Sequence, residues 1–497
     1  MAKLILAIDQ GTTATTALLI DASLNVVGRA STEILPNYPQ YGWVEHDLEK
    51  IWMGTQNTIT DLLKNRSPSD IAAISITNQR ETVGAWQREN GKPYHHAIVW
   101  QCRRTAKRCE ELRKKKGLIK YVKQRTGLVI DPYFSGTKIE WLLKNVRGLA
   151  ADAKRGKAIF GTVDTFLLHR LTGNTVHATD VSNASRTMLM SLQKLAWDEK
   201  MLGVFGVPEK SLPKIMPSAG IFGTTKNLGF LPDGIPIAGI LGDQQAALFG
   251  QLCLGVGDSK CTYGTGAFLM CNTGNKIVYS KNGLLTTVAW QVGGKITYAL
   301  EGSAFVAGAA VQFLRDNLGI IRSSGEVEAL AAQAKSEDMG NLVFVPALTG
   351  LGAPYWNAEA TGMLTGLTRG TNKAQIARAT LEGIALQNNS LFSAIAQDIK
   401  PKKLARIKVD GGASANNLLI QLQSDLANIP IDRPQVLDTT ALGSGLAAGL
   451  AIGMWKNAEE LKRSWKIDRT FQPDMAKKDR EKLTKKWDGA IRKVLAK

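Results

Sequence analysis

Cysteine is scarce in this 497-residue chain, with only Cys102, Cys109, Cys253, Cys261 and Cys271. Their number is odd, no C-x-x-C pair occurs, and their neighbours are mostly apolar. This suits reduced intracellular thiols better than a disulfide framework, and reduced thiols are expected. Long hydrophobic runs are missing as well. The best candidate, "ALGSGLAAGLAIGMW" (441–455), falls short of the roughly 20 residues a membrane span needs and reads as a buried helix with a small-residue packing face. "LILAI" is too short for the apolar region of a secretory signal, meets Asp9 at once and has no small-residue cleavage site after it. The final "LAK" is not an S-K-L type address. A cytoplasmic protein is expected. Two common phosphate loops are also missing. No G-x-x-x-x-G-K-[ST] motif occurs, and "GSGLAA" (443–448), which formally fits G-x-G-x-x-A, has no clear strand leading into it.

What is present is an ordinary globular composition, 44% apolar and 21% charged, in a chain too long for one core. Two domains are expected. Lysine and arginine number 62 against 43 aspartates and glutamates, a net charge of +19. The excess concentrates in "RKKKGLIKYVKQR" (113–125) and the tail "AKKDREKLTKKWDGAIRKVLAK" (476–497), both with helical spacing and without interleaved recognition aromatics. Solvated helix faces explain them better than a nucleic-acid surface, and no nucleic-acid partner is expected.

Short apolar runs alternate with longer helical ones, which argues for α/β architecture. "LILAI", "IAAISIT", "HHAIVW", "KAIFGT", "IPIAGIL", "KITYALEG", "LVFVPAL" and "ARIKVDGG" read as strands, and residues 48–65 and 373–399 as helices. The opening "LAIDQGTTATTALLID" (6–21) runs strand, Gly/Thr tip, strand, and "SKCTYGTGAFLMCNT" (259–273) repeats that plan about halfway along the chain. A duplicated α/β domain with one such hairpin in each half, facing across a cleft, would give this spacing. The chain is cut near residue 250 on this basis.

Three places carry candidate chemistry. Hairpin tips with free N–H groups and threonine hydroxyls can cradle phosphate oxygens. Asp9 beside such a tip either caps an Asx-type turn or holds Mg²⁺, most simply through water. Asp243, in "ILGDQQAALFGQ", ends one apolar run and begins a helical one, so it is either an N-cap or a residue at the ligand-binding end of a sheet. "SITNQRETV" ends another run with Asn78-Gln79-Arg80-Glu81, either surface charges or a donor–acceptor fork for a small polyol.

Taken together, "DQGTT", "GWVEHD", "TNQRET", "VWQCRRT", "DPYFSGTK", "GTVDTFLLHRLTG", "NASRTML", "GDQQAALFGQ", "TYGTG", "TGLGAPYW" and "VDGGASANN" resemble the glycerol-phosphorylating members of the FGGY carbohydrate kinase family, nearly end to end. Pentulose kinases of that family usually carry a Gly-Gln-Met-His type stretch where this chain has "TNQRE". The resemblance implies duplicated ribonuclease H-like (actin-like ATPase) domains flanking a central cleft, with residues 1–250 binding glycerol and 251–497 binding nucleotide. It implies Arg80, Glu81, Tyr133, Asp243 and Gln244 as hydrogen-bonding partners of glycerol, with Trp100 and Phe268 as its apolar wall. Thr12, Thr13 and Thr265 would contact phosphates, Gly308, Gln312, Gly412 and Asn416 would line the nucleotide site, Asp9 would organise Mg²⁺, and Asp243 would act as the base. ATP is the implied co-substrate, and a homo-oligomer, dimer or tetramer, is implied too. The chain departs from the family at Ala14 and Thr16, where Ser and Arg are frequent, so a charged nucleotide contact is lost there. Its loop 223–236 has no histidine and no Gly-Arg pattern, so regulation through either is not expected. A kinase of another small polyol or ketose, and a catalytically silent actin-like nucleotide-binding protein, are the alternatives.

Overall fold

A computed structural model describes residues 3–462 and 465–496. Strand Leu4–Gln10 is apolar on both faces: Leu4, Leu6 and Ile8 enter one core cluster, Ile5 and Ala7 another. That places it inside a sheet covered on both sides. It pairs antiparallel with Ala14–Ile20, which pairs antiparallel with Val26–Glu33. On its other edge lies Ile71–Asn78, parallel to it, followed by Pro236–Gly242, also parallel, and an antiparallel edge strand, Ala219–Thr224.

The second half repeats this path. Ser259–Tyr263 pairs antiparallel with Ala267–Gly274, which pairs antiparallel with Lys295–Ala304. Ile407–Asp410 and Ile431–Pro434 follow in parallel on the opposite edge, and Ile467–Phe471 closes that edge antiparallel. The second sheet adds Leu285–Val292 outside Lys295–Ala304. The two Gly/Thr tips expected from the sequence are therefore the same turn in two copies of one sheet, each beside the C-terminal end of a parallel strand.

Two helices cross between the sheets. Helix Asp243–Gly250 leaves the first sheet and packs with Met270, Ala289 and Ala299 of the second half, while Thr439–Ala451 from the second half packs against Ile5, Ala7, Ile20 and Ala238 of the first. They touch backbone to backbone. A Cβ on Gly443 would lie 1.9 Å from the Ala246 carbonyl oxygen, and one on Gly250 would lie 2.1 Å from the Thr439 carbonyl oxygen. This is the physical reason for "ALGSGLAAGLA": it is a packing helix, as its small residues suggested. Among the described residues no helix is long and apolar enough to cross a membrane.

The remaining expectations mostly hold at the level of elements. Residues 48–63 and 373–398 are helices, and all five cysteines are free and buried. "HHAIVW" contributes only Ala97–Ile98, because its partner Glu45–His46 is itself two residues long and the ladder ends there. The basic stretch 113–125 is interrupted at Gly117 (φ 77°), between helices Ala106–Arg113 and Leu118–Thr126, and Lys114, Lys115 and Lys116 are exposed. The tail forms helix Lys477–Leu495, burying Trp487, Ala490, Ile491 and Val494 and turning most of its lysines to solvent.

Gly443→Val is expected to lower unfolding stability by about 3 kcal/mol or more, since the clash is with backbone that no rotamer can move. Urea unfolding of the variant, compared with Gly203→Ala as an exposed helical control whose Cβ would meet nothing within 4 Å, checks this. A loss under about 1 kcal/mol would show that the helices can separate at little cost.

Candidate active site

The two hairpin tips open the site. In the first, Gly11 N–H bonds the Ala14 carbonyl at 2.9 Å, and Thr13 is exposed. The Thr12 hydroxyl accepts the indole N–H of Trp100 at 2.9 Å. In the second tip Thr265 is exposed, and its carbonyl accepts N–H groups from Ala307 (2.8 Å) and Ala309 (3.1 Å). These bonds tie the tip to helix Gly308–Asp316, on which Gln312 lies one turn further along. A Cβ on Gly308 would be 2.7 Å from the Gly264 carbonyl oxygen and 3.9 Å from Ala413, so helix, tip and the turn Gly412–Ala415 converge. A Cβ on Gly412 would meet nothing within 4 Å, so this turn faces open space. Asn416 caps helix Asn417–Ala427 by accepting the Leu419 N–H at 2.8 Å, so its carbonyl oxygen is occupied and its amide N–H₂ is left over. Thr16, across the ladder from Asp9, bonds Ser31 on the neighbouring strand at 3.0 Å.

Between the halves lies a buried charge cluster centred on Arg80. Its Nη1 and Nη2 donate to the two carboxylate oxygens of Glu301 at 2.5 and 3.0 Å, and its Nε lies 2.9 Å from Asp243 Oδ1. Nη2 also donates to the Tyr133 hydroxyl at 3.3 Å, and Nη1 to Gln245 Oε1 at 3.2 Å. Arg186 forms a second bridge, from Nε to Glu81 Oε1 at 2.7 Å and from Nη2 to Glu301 Oε1 at 2.9 Å. The surface-charge alternative for Arg80 and Glu81 is therefore excluded: their side chains are 1% and 2% exposed, whereas that of Asp243 is 29% exposed. Asp243 is the first residue of its helix rather than the cap, and its Oδ1 also accepts the Gln244 N–H at 2.7 Å. Gln244 Oε1 accepts from the buried Lys260, which also bonds Thr262 at 2.7 Å. Trp100 packs edge-on against Tyr133 and Phe268, with ring centroids 5.7 and 6.1 Å away, and closes one side.

The electrostatics divide the acids into two kinds. Burial alone would raise Glu301, but Arg186 and Arg80 hold its carboxyl well below the usual carboxylate range. Asp9 shows the opposite behaviour: burial first, then the negative charges of Asp243 and Asp438, push it up to about 8. Among the described residues no side chain donates a hydrogen bond to Asp9, and no group of three or more His, Cys, Asp or Glu is placed to hold a metal unaided. An acid with no counter-charge among the described residues, beside a turn whose backbone N–H groups and hydroxyls could meet phosphate, fits a hydrated divalent cation.

Arg80, Glu81, Tyr133, Asp243, Gln244, Trp100 and Phe268 are thus brought together, as are Thr265, Gly308 and Gly412, with Thr12 linked to the first group through Trp100. Four fully buried residues were missed by the sequence reading: Glu301, Arg186, Lys260 and Lys138. Glu301 was signalled by a lone acid in the apolar strand "KITYALEGSA", and Lys260 by a lysine inside "SKCTY". Arg186 and Lys138 sit in motifs that attracted notice for their resemblance, and nothing local marks them as buried.

Residues 4–250 match the N-terminal domain, and residues 259–452 the C-terminal domain, of the FGGY family of carbohydrate kinases. The chain is 54% identical to a glycerol kinase of Bdellovibrio bacteriovorus, covering 99% of this chain and 100% of the relative. It is 51% identical to a glycerol kinase of Myxococcus xanthus, covering 99% of each. Among solved structures, Plasmodium falciparum glycerol kinase with ADP superposes with a TM-score of 0.91 at 36% identity, covering 99% of this chain and 98% of that one.

Replacing Glu301 by alanine leaves two buried guanidinium groups short of a carboxylate. Glu301→Ala is expected to lose about 3–5 kcal/mol of unfolding stability, read by urea unfolding. A loss below about 1 kcal/mol would mean that Glu81 and Asp243 already satisfy both arginines.

Proposed function

The chain belongs to the FGGY family of carbohydrate kinases, and from that premise we propose that it transfers the γ-phosphoryl group of ATP to a terminal hydroxyl of glycerol, giving sn-glycerol 3-phosphate and ADP. The observation that supports this reading is the setting of Asp243: it is the one acid of the Arg80 cluster with appreciable exposure, and its charge acts on Asp9 beside the first hairpin tip. Both of its contacts use Oδ1, so Oδ2 is left to accept a proton.

Phosphoryl transfer from ATP passes through a loose transition state, so placement and charge stabilisation do most of the work. Arg80, Glu81, Tyr133 and Gln244 hold the polyol hydroxyls by hydrogen bonds, Arg80 and Gln244 donating and Glu81 accepting. Trp100 and Phe268 cover the carbon backbone and keep water from the phosphoryl group. Asp243 orients the attacking hydroxyl and takes its proton late in the transfer. Thr12, Thr13 and Thr265, with the backbone N–H groups of their tips, hold the phosphates, while Gly308, Gln312, Gly412 and Asn416 line the rest of the nucleotide site. Asp9 is the residue that would hold Mg²⁺, through water, and the metal supplies charge neutralisation on the β- and γ-phosphates. In this reading the first half, to about residue 250, carries most of the glycerol site, and the second half most of the nucleotide site. The free, buried cysteines favour a reducing, cytoplasmic setting.

ADP release in the presence of glycerol, dihydroxyacetone, erythritol, xylulose or ribulose tests the assignment. Glycerol is expected to give the highest kcat/KM, and preference for a ketopentose would overturn the choice of substrate. Asp243→Asn is expected to cut kcat by roughly 10²–10⁴-fold while the ATP KM stays within about twofold. Turnover at the wild-type rate would remove Asp243 as the base. Chelation with EDTA is expected to abolish activity, and added Mg²⁺ to restore it.

A further inference from the structure

Lys138, the fourth residue of helix Ser135–Asn145, is fully buried. Among the described residues its ammonium forms no ion pair. It donates instead to two backbone carbonyls, that of Tyr133 at 2.5 Å and that of Glu81 at 3.3 Å. A buried ammonium without a carboxylate is costly, and carbonyl bonds offset that cost only in part. The position therefore calls for a reason beyond stability.

The two carbonyls belong to separate loops, each carrying a side chain of the Arg80 cluster. Glu81 has φ 61° and sits at the centre of a γ-turn closed by the Thr82 N–H on the Arg80 carbonyl at 2.7 Å. With a positive φ this is the strained form of the turn, which persists only where its surroundings over-determine it. The Glu81 carbonyl takes the Ser135 hydroxyl at 3.0 Å in addition to Lys138. The second loop, Asp131–Phe134, leads into the helix that carries Lys138, and the Tyr133 N–H bonds Asp131 Oδ1 at 2.9 Å.

We propose that Lys138 is a positioning residue for the polyol: by holding the Glu81 and Tyr133 carbonyls on one ammonium, it sets the spacing of the two side chains that grip the substrate. The proposal rests on the kinase reading above. Lys138 itself touches neither reacting group, since its contacts lie behind the loops.

The groups facing Lys138 are Glu81 from the γ-turn, Cys102 and Asp131 from loops, and Cys109 from helix Ala106–Arg113. Glu81 is paired with Arg186, Asp131 is paired with Arg103 at 3.2 Å and Arg113 at 3.6 Å, and burial pushes the Cys109 thiol up to about 12. Burial brings Lys138 down to about 8. Its folded value lies below that of a free lysine, so the charge destabilises the fold below about pH 8 and this penalty fades above it. Loss of the charge above pH 8 weakens both carbonyl bonds, so affinity for the polyol should fall there while the fold gains stability.

The test uses the full-length protein and the polyol that the wild type accepts best. Lys138→Met is expected to raise the polyol KM at least tenfold, to leave the ATP KM within twofold, and to leave the melting temperature at pH 7 no lower than that of the wild type. In the wild type the polyol KM is expected to rise at least threefold from pH 7 to pH 9 while the ATP KM does not rise, and the polyol response should vanish in Lys138→Met. The pH series on the wild type decides the matter if the variant does not fold. A polyol KM within twofold in the variant, or flat with pH in the wild type, overturns the proposal, as does an equal rise in both KM values. A wild type that phosphorylates no polyol instead overturns the kinase reading, and this proposal with it.

Discussion

The Arg80–Glu301 pair is the contact on which the site depends. Arg80 lies two residues beyond the end of strand Ile71–Asn78 of the first sheet, and Glu301 lies in a strand of the second, so the arginine is held by a carboxylate that the other half delivers. Glu301 occupies Nη1 and Nη2 and leaves the Nε edge for Asp243. Arg186 then links Glu301 back to Glu81. Each member fixes the next, and a shift of either half would expose or orphan several buried charges at once. That makes the spacing of the halves near this point an electrostatic constraint as well as a packing one.

The crossing helices set the same distance by sterics. Gly443 against the Ala246 carbonyl and Gly250 against the Thr439 carbonyl leave no room for a side chain. Asp243 begins one of these helices, so the acid at the cleft is rooted in the tightest part of the interface. The two hairpin tips stand further out, at the C-terminal ends of duplicated sheets, and their exposed threonines are tied to the rest by few bonds. In the proposed reading the acid is thus placed rigidly and the tips that would hold the phosphates more loosely.

How much of this was legible in the sequence follows from the range of each interaction. The hairpins, Asp9 and Asp243 are local signals: an apolar run, then a turn or helix start, readable from neighbours in the chain. Duplication was readable because the same local plan recurs about 250 residues on. Arg80 and Glu81 could be seen as a fork, but their burial could not, since it comes from Glu301, more than 200 residues away in the chain, and Arg186, more than 100 away. Lys138 was the least visible. A lysine on a helix normally faces water, and only the fold reveals that this one points at two carbonyls. "GSGLAA" was correctly read as packing, yet what it packs against, a helix from the other half, has no local signature.

The charge distribution links the exterior to the chemistry. The surplus of 19 positive charges lies largely on exposed helix faces, where it raises the local concentration of anions. Inside the cleft the surplus disappears: Arg80, Arg186 and Lys260 stand among Glu81, Glu301 and Asp243, and Asp9 has no cationic partner among the described residues. In the proposed reading, a bare polyphosphate would meet Asp243 and an Asp9 whose ionisation burial already opposes. A divalent cation carried with the phosphates would favour the ionised form of Asp9 and offset the phosphate charge at the same time. In that reading the cleft favours a metal-complexed nucleotide over a bare one. In the same reading Asp243, the only acid of the Arg80 cluster with appreciable exposure, is the group that accepts the proton.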